Sequence, residues 1–181
     1  MMVEITGRMK IIAAAVYANE VFPTSLFESL AVECRARRMV LTGVLQFPAF
    51  EGGDHRCDVV LEDLMSGHRT TLFDNRGAGA KGCRLDQAAF ADVAARIEGS
   101  LEAVPDLLIL NKYGKLECEG GGFRNLIASA IERDIAVTIG VPQRNLPQWR
   151  EFVGSLAEEI PAGDPARLSE WVFERIAKVD A

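Results

Sequence analysis

Asp106-Leu107-Leu108-Ile109-Leu110-Asn111-Lys112-Tyr113-Gly114-Lys115-Leu116-Glu117-Cys118-Glu119-Gly120-Gly121-Gly122-Phe123 is the stretch on which the fold turns. The run from Leu107 to Leu110 is unbroken by any polar residue and too short for a helix, which suits a strand buried on both faces of a parallel sheet. Residues 106–111 therefore read as a strand that delivers Asn111, two lysines, two glutamates and a glycine triplet into the loop 112–122. Consecutive glycines lose more backbone freedom than other residues, roughly 0.5–1 kcal/mol each in regular structure, so a tight turn or the close approach of a ligand is one reading. A solvated, flexible connector is the other.

The same logic extends in both directions. Downstream, Phe123, Leu126, Ile127, Ala130 and Ile131 fall at helical spacing, residues 136–141 form another buried strand, and 142–145 make a loop at its carboxyl end. Trp149, Phe152 and Val153 lie on a short helix, and Asp164-Pro165 opens a terminal helix with Leu168, Trp171, Val172 and Ile176. These aromatic residues read as core or as an oligomer contact. Upstream, residues 10–17 are a first buried strand. Ser25 with Glu28 makes a capping-box pattern for a helix through Leu26, Phe27, Leu30, Ala31 and Cys34 that ends near Arg37 or Arg38, and 39–46 form a second strand. Residues 57–63 and 69–73 around Ser66-Gly67 read as a β-hairpin, and Asp86 caps a helix bearing Phe90, Val93, Ala94, Ile97 and Leu101.

Alternating strands and helices predict parallel pairing with right-handed crossovers. The expected fold is α/β, three-layered, with a mostly parallel sheet and an inserted β-hairpin. It is expected as one domain over residues 1–181, with a core at 9–161 and a C-terminal helix at 164–179. Ligands in such sheets sit beyond the carboxyl ends of the strands, which here gather residues 17–25, 46–50, 111–122 and 142–145.

Composition narrows the partners. Of 181 residues, 49% are hydrophobic and 25% charged, so the chain can bury a core. A net charge of -6 and a pI near 5.0 leave no basic face for phosphate neutralisation, and no nucleic-acid partner is expected. Arg8 and Lys10 ahead of Ile11 to Val16 imitate a signal peptide, but Asn19 and Glu20 end the run without a polar spacer, and it reads as a strand. No other stretch approaches the ~18 apolar residues of a membrane span, so no membrane insertion and a cytoplasmic location are expected. Cys34, Cys57, Cys83 and Cys118 show no CxxC pairing and read as reduced thiols. His55, Cys57 and His68 supply too few ligands at fixed spacing for a metal, and none is assigned.

The turn 17–25 stands where a phosphate-binding loop would stand, yet it has neither glycine nor lysine, so GxxxxGK[ST] fails. Its polar candidates are Asn19, Thr24 and Ser25, the last as a helix cap whose exposed N–H groups form a weak anion site. Arg76-Gly77-Ala78-Gly79-Ala80-Lys81-Gly82-Cys83-Arg84 could wrap an anion, with Arg84 as its candidate ligand. Gln46, Asn111, Lys112, Gly114, Lys115, Glu117, Gly120, Gly121, Gly122, Arg124, Gln143 and Arg144 complete the strand-end set. Glu117 and Glu119 are the weak candidates for a general base.

The 106–123 stretch, Gly43-Val44-Leu45-Gln46, Gly82-Cys83-Arg84-Leu85-Asp86 and Val141-Pro142-Gln143-Arg144-Asn145-Leu146-Pro147-Gln148-Trp149 together resemble a bacterial domain-of-unknown-function family. Its members are labelled as nucleoside-triphosphatases or molybdenum ABC transporter ATP-binding proteins. The resemblance covers residues 10–161, and Asn111-Lys112-Tyr113-Gly114-Lys115-Leu116-Glu117 is its most specific part. More distantly, the element order is similar to that of small P-loop nucleoside-triphosphatases, whose corresponding strand ends in Asp-Glu before a Gly-Lys-Met-Glu-like run. Here Asn111 and Lys112 occupy the acidic positions, while Gly114, Lys115, Leu116 and Glu117 keep the remainder. The resemblance implies a P-loop-like fold without the Walker lysine, the magnesium-binding hydroxyl in its motif, or the carboxylate pair that phosphoryl transfer to water needs.

The leading expectation is a non-hydrolysing protein that binds a small anion or nucleotide at the strand ends. By the family's label the anion would be molybdate or a molybdenum-cofactor intermediate. The alternatives are a divergent nucleoside-triphosphatase or nucleotide transferase with Glu117 or Glu119 as base and Lys115 as phosphate clamp, and a homodimeric interaction scaffold built on Trp149, Phe152 and Trp171. No cofactor is identified.

Overall fold

Burial on both faces makes β5 (Leu107–Leu110) the centre of the sheet, where each of its four side chains is 0% exposed. Burying one such aliphatic side chain contributes roughly 1.5–3 kcal/mol relative to leaving it in water. The computed structural model describes residues 10–19, 23–48, 59–72 and 85–177. β5 lies between β2 (Leu41–Pro48) and β6 (Ala136–Pro142), parallel to both, with Leu107 beside Leu41 and Ala136. β1 (Ile12–Tyr17) pairs parallel with β6 and with β7 (Ala157–Pro161), bringing Tyr17 beside Pro142. The hairpin β3 (Val59–Asp63) and β4 (Arg69–Thr71) extends the other edge in antiparallel register. The seven-stranded order is β4-β3-β2-β5-β6-β1-β7.

Strand side chains alternate between faces, and this divides the core. Leu108 and Leu110 pack with α2 (Gln87–Ser100), α4 (Arg124–Glu132) and α5 (Leu146–Val153) through Val93, Ile97, Ile127 and Trp149. Leu107 and Ile109 pack on the opposite face with α1 (Thr24–Ala36) and α6 (Pro165–Ala177) through Phe27, Leu30, Leu168 and Trp171. The expected three-layer α/β architecture with an inserted hairpin is observed. Gly43, at φ +112°, stands where β2 leaves β5 for the hairpin; a side chain there would run into the Ile109 carbonyl.

Several local expectations change. Ser25 does not cap α1: the helix begins at Thr24, Pro23 precedes it, and no side chain caps it. Thr24 Oγ1 is turned instead to the Gln46 carbonyl, to which it donates at 2.9 Å. The loop 112–122 contains a short helix, α3 (Lys115–Cys118), that its glycine content concealed. β7 was not anticipated, because only Ile160 of this edge strand is buried, while Glu158 and Glu159 face outward to pair with Arg167 and Arg150. Trp149 and Trp171 are 0% and 5% exposed, so they belong to the chain's own core and offer no face to a second copy. The cap at Asp86 forms, its Oδ1 accepting from the Ala89 N–H at 2.9 Å. His55, Cys57 and the glycine-rich stretch with Cys83 and Arg84 lie outside the described residues. Among the described residues, no helix is long and apolar enough to cross a membrane.

Candidate functional site

The carboxyl ends of β1, β5 and β6 converge beside the start of α1. Pro23 contributes no N–H and no capping side chain, so among the described residues the first N–H groups of this 13-residue helix have no side-chain acceptor. Phe27, in the first turn, and the Asn111 carbonyl both close on Gly140, where a Cβ would collide with the carbonyl and press on the ring. Asn111 thus sits beneath the entrance to α1. It is 3% exposed, and among the described residues neither its Oδ1 nor its Nδ2 has a hydrogen-bond partner. A buried amide left unpaired costs about 1–3 kcal/mol, a debt that a ligand or an ordered water can cancel.

Positive charge collects at the same edge. Asn19 Oδ1 accepts from the Arg144 N–H at 2.9 Å, joining the turn after β1 to the 3₁₀ turn Gln143–Asn145 that follows β6. Lys112 is half-buried; burial pushes its amine below the usual lysine range, the Arg144 charge pushes the same way, and Glu117 opposes them. Among the described residues, neither Lys112 nor Arg144 has a carboxylate within ion-pair distance. The Tyr17 hydroxyl is buried without a partner among the described residues, and burial raises its pKa to about 12 against the opposing charge of Arg144.

Glu117 has a different task. It is 4% exposed; Oε2 accepts from the Gly114 N–H at 2.8 Å and Oε1 from the Phe123 N–H at 2.9 Å. The carboxylate thus ties the two ends of the glycine-rich loop together across α3. Burial raises its pKa, while those two N–H groups and Lys112 work against the rise. Gly122, at φ +58°, is required by the same strut, since a side chain there would overlap the Glu117 carboxylate. The loop is fixed from below as well: Asn145 Nδ2 donates to the Tyr113 carbonyl at 2.7 Å, and the buried Tyr113 ring packs edge-on against Trp149 with centroids 5.1 Å apart.

The structure therefore brings together Asn19, Asn111, Lys112 and Arg144, with Thr24 and Ser25 at the start of α1 and Gln143 exposed beside them. Gln46 participates through its carbonyl, as the acceptor for Thr24. Gly114, Gly120, Gly121 and Gly122 shape the strutted loop. Lys115 and Glu119 instead form an exposed pair at 3.6 Å, and Arg124 lies over the Phe152 ring at 4.3 Å. Tyr17 escaped the sequence reading because its hydroxyl sits on a residue that reads as the apolar end of a strand. The strand-end residues also open onto a cavity of about 440 Å³ on the α2 face, lined by the expected Gln46, Asn111, Lys112, Gly114, Lys115 and Glu117; what escaped was its apolar wall, with Phe90 and Phe123, which read as plain core.

Solved structures with this fold include THEP1 from the hyperthermophile Aquifex aeolicus, at TM-score 0.63 and 18% identity over 90% of this chain and 95% of that one. A human cancer-related nucleoside triphosphatase aligns at TM-score 0.67 and 13% identity over 92% and 98%. The chain shares its α/β fold with both of these structures. In sequence, the chain is 30% identical over 118 residues to the molybdenum import ATP-binding protein ModC 2 of Bradyrhizobium diazoefficiens; the match takes in 65% of this chain and 13% of that protein's length. Residues 12–171 match the family described as "Protein of unknown function (DUF2478)", and the chain belongs to that family.

Proposed function

We propose that this protein binds a nucleotide or a small oxyanion at the ends of β1, β5 and β6 and does not hydrolyse it. The observation that carries the reading is the juxtaposition of Lys112 and Arg144: the Arg144 charge disfavours the protonated Lys112 amine, and neither finds a carboxylate partner among the described residues. An anion placed between them would relieve that repulsion and could also accept from the uncapped N–H groups of α1 and from the unpaired Asn111 amide.

The absence of hydrolysis follows from the same positions. Phosphoryl transfer to water depends on positioned metal, phosphate clamps and a group that orients the nucleophile. Residues 17–25 contain no lysine, and β5 ends in Asn111-Lys112 rather than in two carboxylates. Glu117, the first carboxylate downstream of that pair, has both oxygens engaged by backbone N–H groups. Each missing electrostatic contact of this kind is worth roughly 10²–10³ in rate. Molybdate is the oxyanion that the name of the Bradyrhizobium relative brings forward.

Titrations followed by backbone amide shifts, using ATP, inorganic phosphate and molybdate as separate probes, test the reading. At least one probe is expected to move the signals of Asn19, Thr24 and Asn111, with affinity falling at least about tenfold in Arg144→Ala, the loss of one charge-assisted contact. No shift with any of the three overturns it.

A further inference from the structure

The cavity on the α2 face adjoins the anion site, with Asn111 and Lys112 on the boundary between them, but differs from it in character. It opens between the hairpin, α2 and the strutted loop, holds about 440 Å³, and is walled by Val44, Leu61, Phe90, Leu116 and Phe123. That volume falls within the ~300–1,000 Å³ of small-molecule sites, which combine apolar walls with a few placed polar groups. The rings of Phe90 and Phe123 lie 4.7 Å apart and 42° from coplanar, so they present two aromatic surfaces at an angle. Lys112, on the wall of the same cavity, is the cation with unspent capacity, with the Asn111 amide beside it: Glu117 is committed to two backbone N–H groups, and Lys112 itself has no ion pair among the described residues.

We propose that this cavity is a binding site for a small aromatic carboxylate, its ring against Phe90 and Phe123 and its carboxylate on the Lys112 amine. The cavity is partly open, so a ligand can enter it, and the half-buried Lys112 charge beside its apolar wall has no carboxylate among the described residues to offset its desolvation. An apolar ligand alone would fill the space and leave the lysine unneutralised; a free inorganic anion would neutralise the lysine and leave the space. An aromatic acid does both. Lys112 also borders the anion site, so an occupant of either site lowers the electrostatic demand for the other, and simultaneous binding is expected to be competitive in charge.

The probe is 2-naphthoate, with neutral 2-naphthamide as its control, followed by the ring and methyl signals of Phe90, Phe123, Val44 and Leu61. Naphthoate is expected to shift those signals and to bind at least fivefold more tightly than the amide. Lys112→Met is expected to reduce naphthoate to the affinity of the amide, and Val44→Phe, which fills the cavity, to abolish both while leaving the thermal transition cooperative. Arg144→Ala separates this proposal from the preceding one, since it is expected to weaken phosphate binding and to spare naphthoate. Absence of naphthoate shifts at millimolar concentration, equal affinity for acid and amide, or undiminished binding in a folded Val44→Phe variant each overturn the proposal.

Discussion

Two neighbouring regions at the carboxyl end of the sheet treat their polar groups in opposite ways. In the loop from Gly114 to Phe123, Glu117 accepts two backbone N–H groups, Asn145 holds the Tyr113 carbonyl, and the Tyr113 ring is locked against Trp149. At the entrance to α1, among the described residues, the Asn111 amide and the Tyr17 hydroxyl are buried with no partner, and Lys112 faces Arg144 without a carboxylate. Buried polar groups are ordinarily satisfied, and unsatisfied ones concentrate where function requires them. The contrast teaches that the loop is built for stability and rigidity, and the α1 entrance for something that arrives from outside.

Substitutions separate the two regions, beginning with the loop. Gly122→Ala imposes a left-handed backbone on a residue with a side chain and drives that side chain into the Glu117 carboxylate. A loss of about 3 kcal/mol is expected from chemical denaturation, combining backbone strain with a broken strut. Full stability in that variant would show that the strut is dispensable and erase the contrast.

Glu117→Gln is expected to cost about 2 kcal/mol, because the amide can accept from only one of Gly114 and Phe123 and turns a donor toward the other. Its pH profile sharpens the test. Burial raises the native pKa of Glu117 above 4.5, so the folded state holds this proton more tightly than the unfolded chain. The wild-type contribution is therefore fully present below that value and is lost as pH rises through the native pKa, whereas the glutamine variant lacks this component.

At the α1 entrance the sign reverses. Asn111→Leu removes an unpaired buried amide and replaces it with an apolar group of similar size, so the free protein should gain about 1 kcal/mol while losing affinity for phosphate or ATP. Destabilisation comparable with that of Glu117→Gln would mean that Asn111 is satisfied within the chain and would collapse the distinction. The smallest effect expected is on pH dependence of binding. Burial and Arg144 lower the Lys112 pKa below 10.5, so phosphate affinity should be complete well below the native value and decline as pH rises through it, a decline that Lys112→Met abolishes.

How much of this the sequence disclosed depended on whether a signal was local. β5 was readable because four consecutive aliphatic residues admit few other arrangements, and the hairpin because Ser66-Gly67 separates two short strands. β7 was hidden because an outer strand needs only one buried residue, and its glutamates look like surface loop until Arg150 and Arg167 are placed opposite them. At the site, the residue types at the strand ends were evident, but their partners were not. Nothing in the spacing of Glu117 and Phe123 says that a carboxylate spans the loop, and nothing in Asn19 and Arg144, 125 residues apart, says that they meet. The cap assigned to Ser25 failed for a related reason: Thr24, one position earlier, found the Gln46 carbonyl and opened the helix itself.

The most direct test is calorimetric titration of the purified protein with ATP and magnesium, with phosphate and with molybdate in turn, the nucleotide in the cell being analysed at the end. Saturable heat with at least one of the three, and the ATP recovered intact, is the predicted result. Conversion of the ATP to ADP and phosphate at an enzymatic rate, or no heat above dilution with any of the three, would contradict the account.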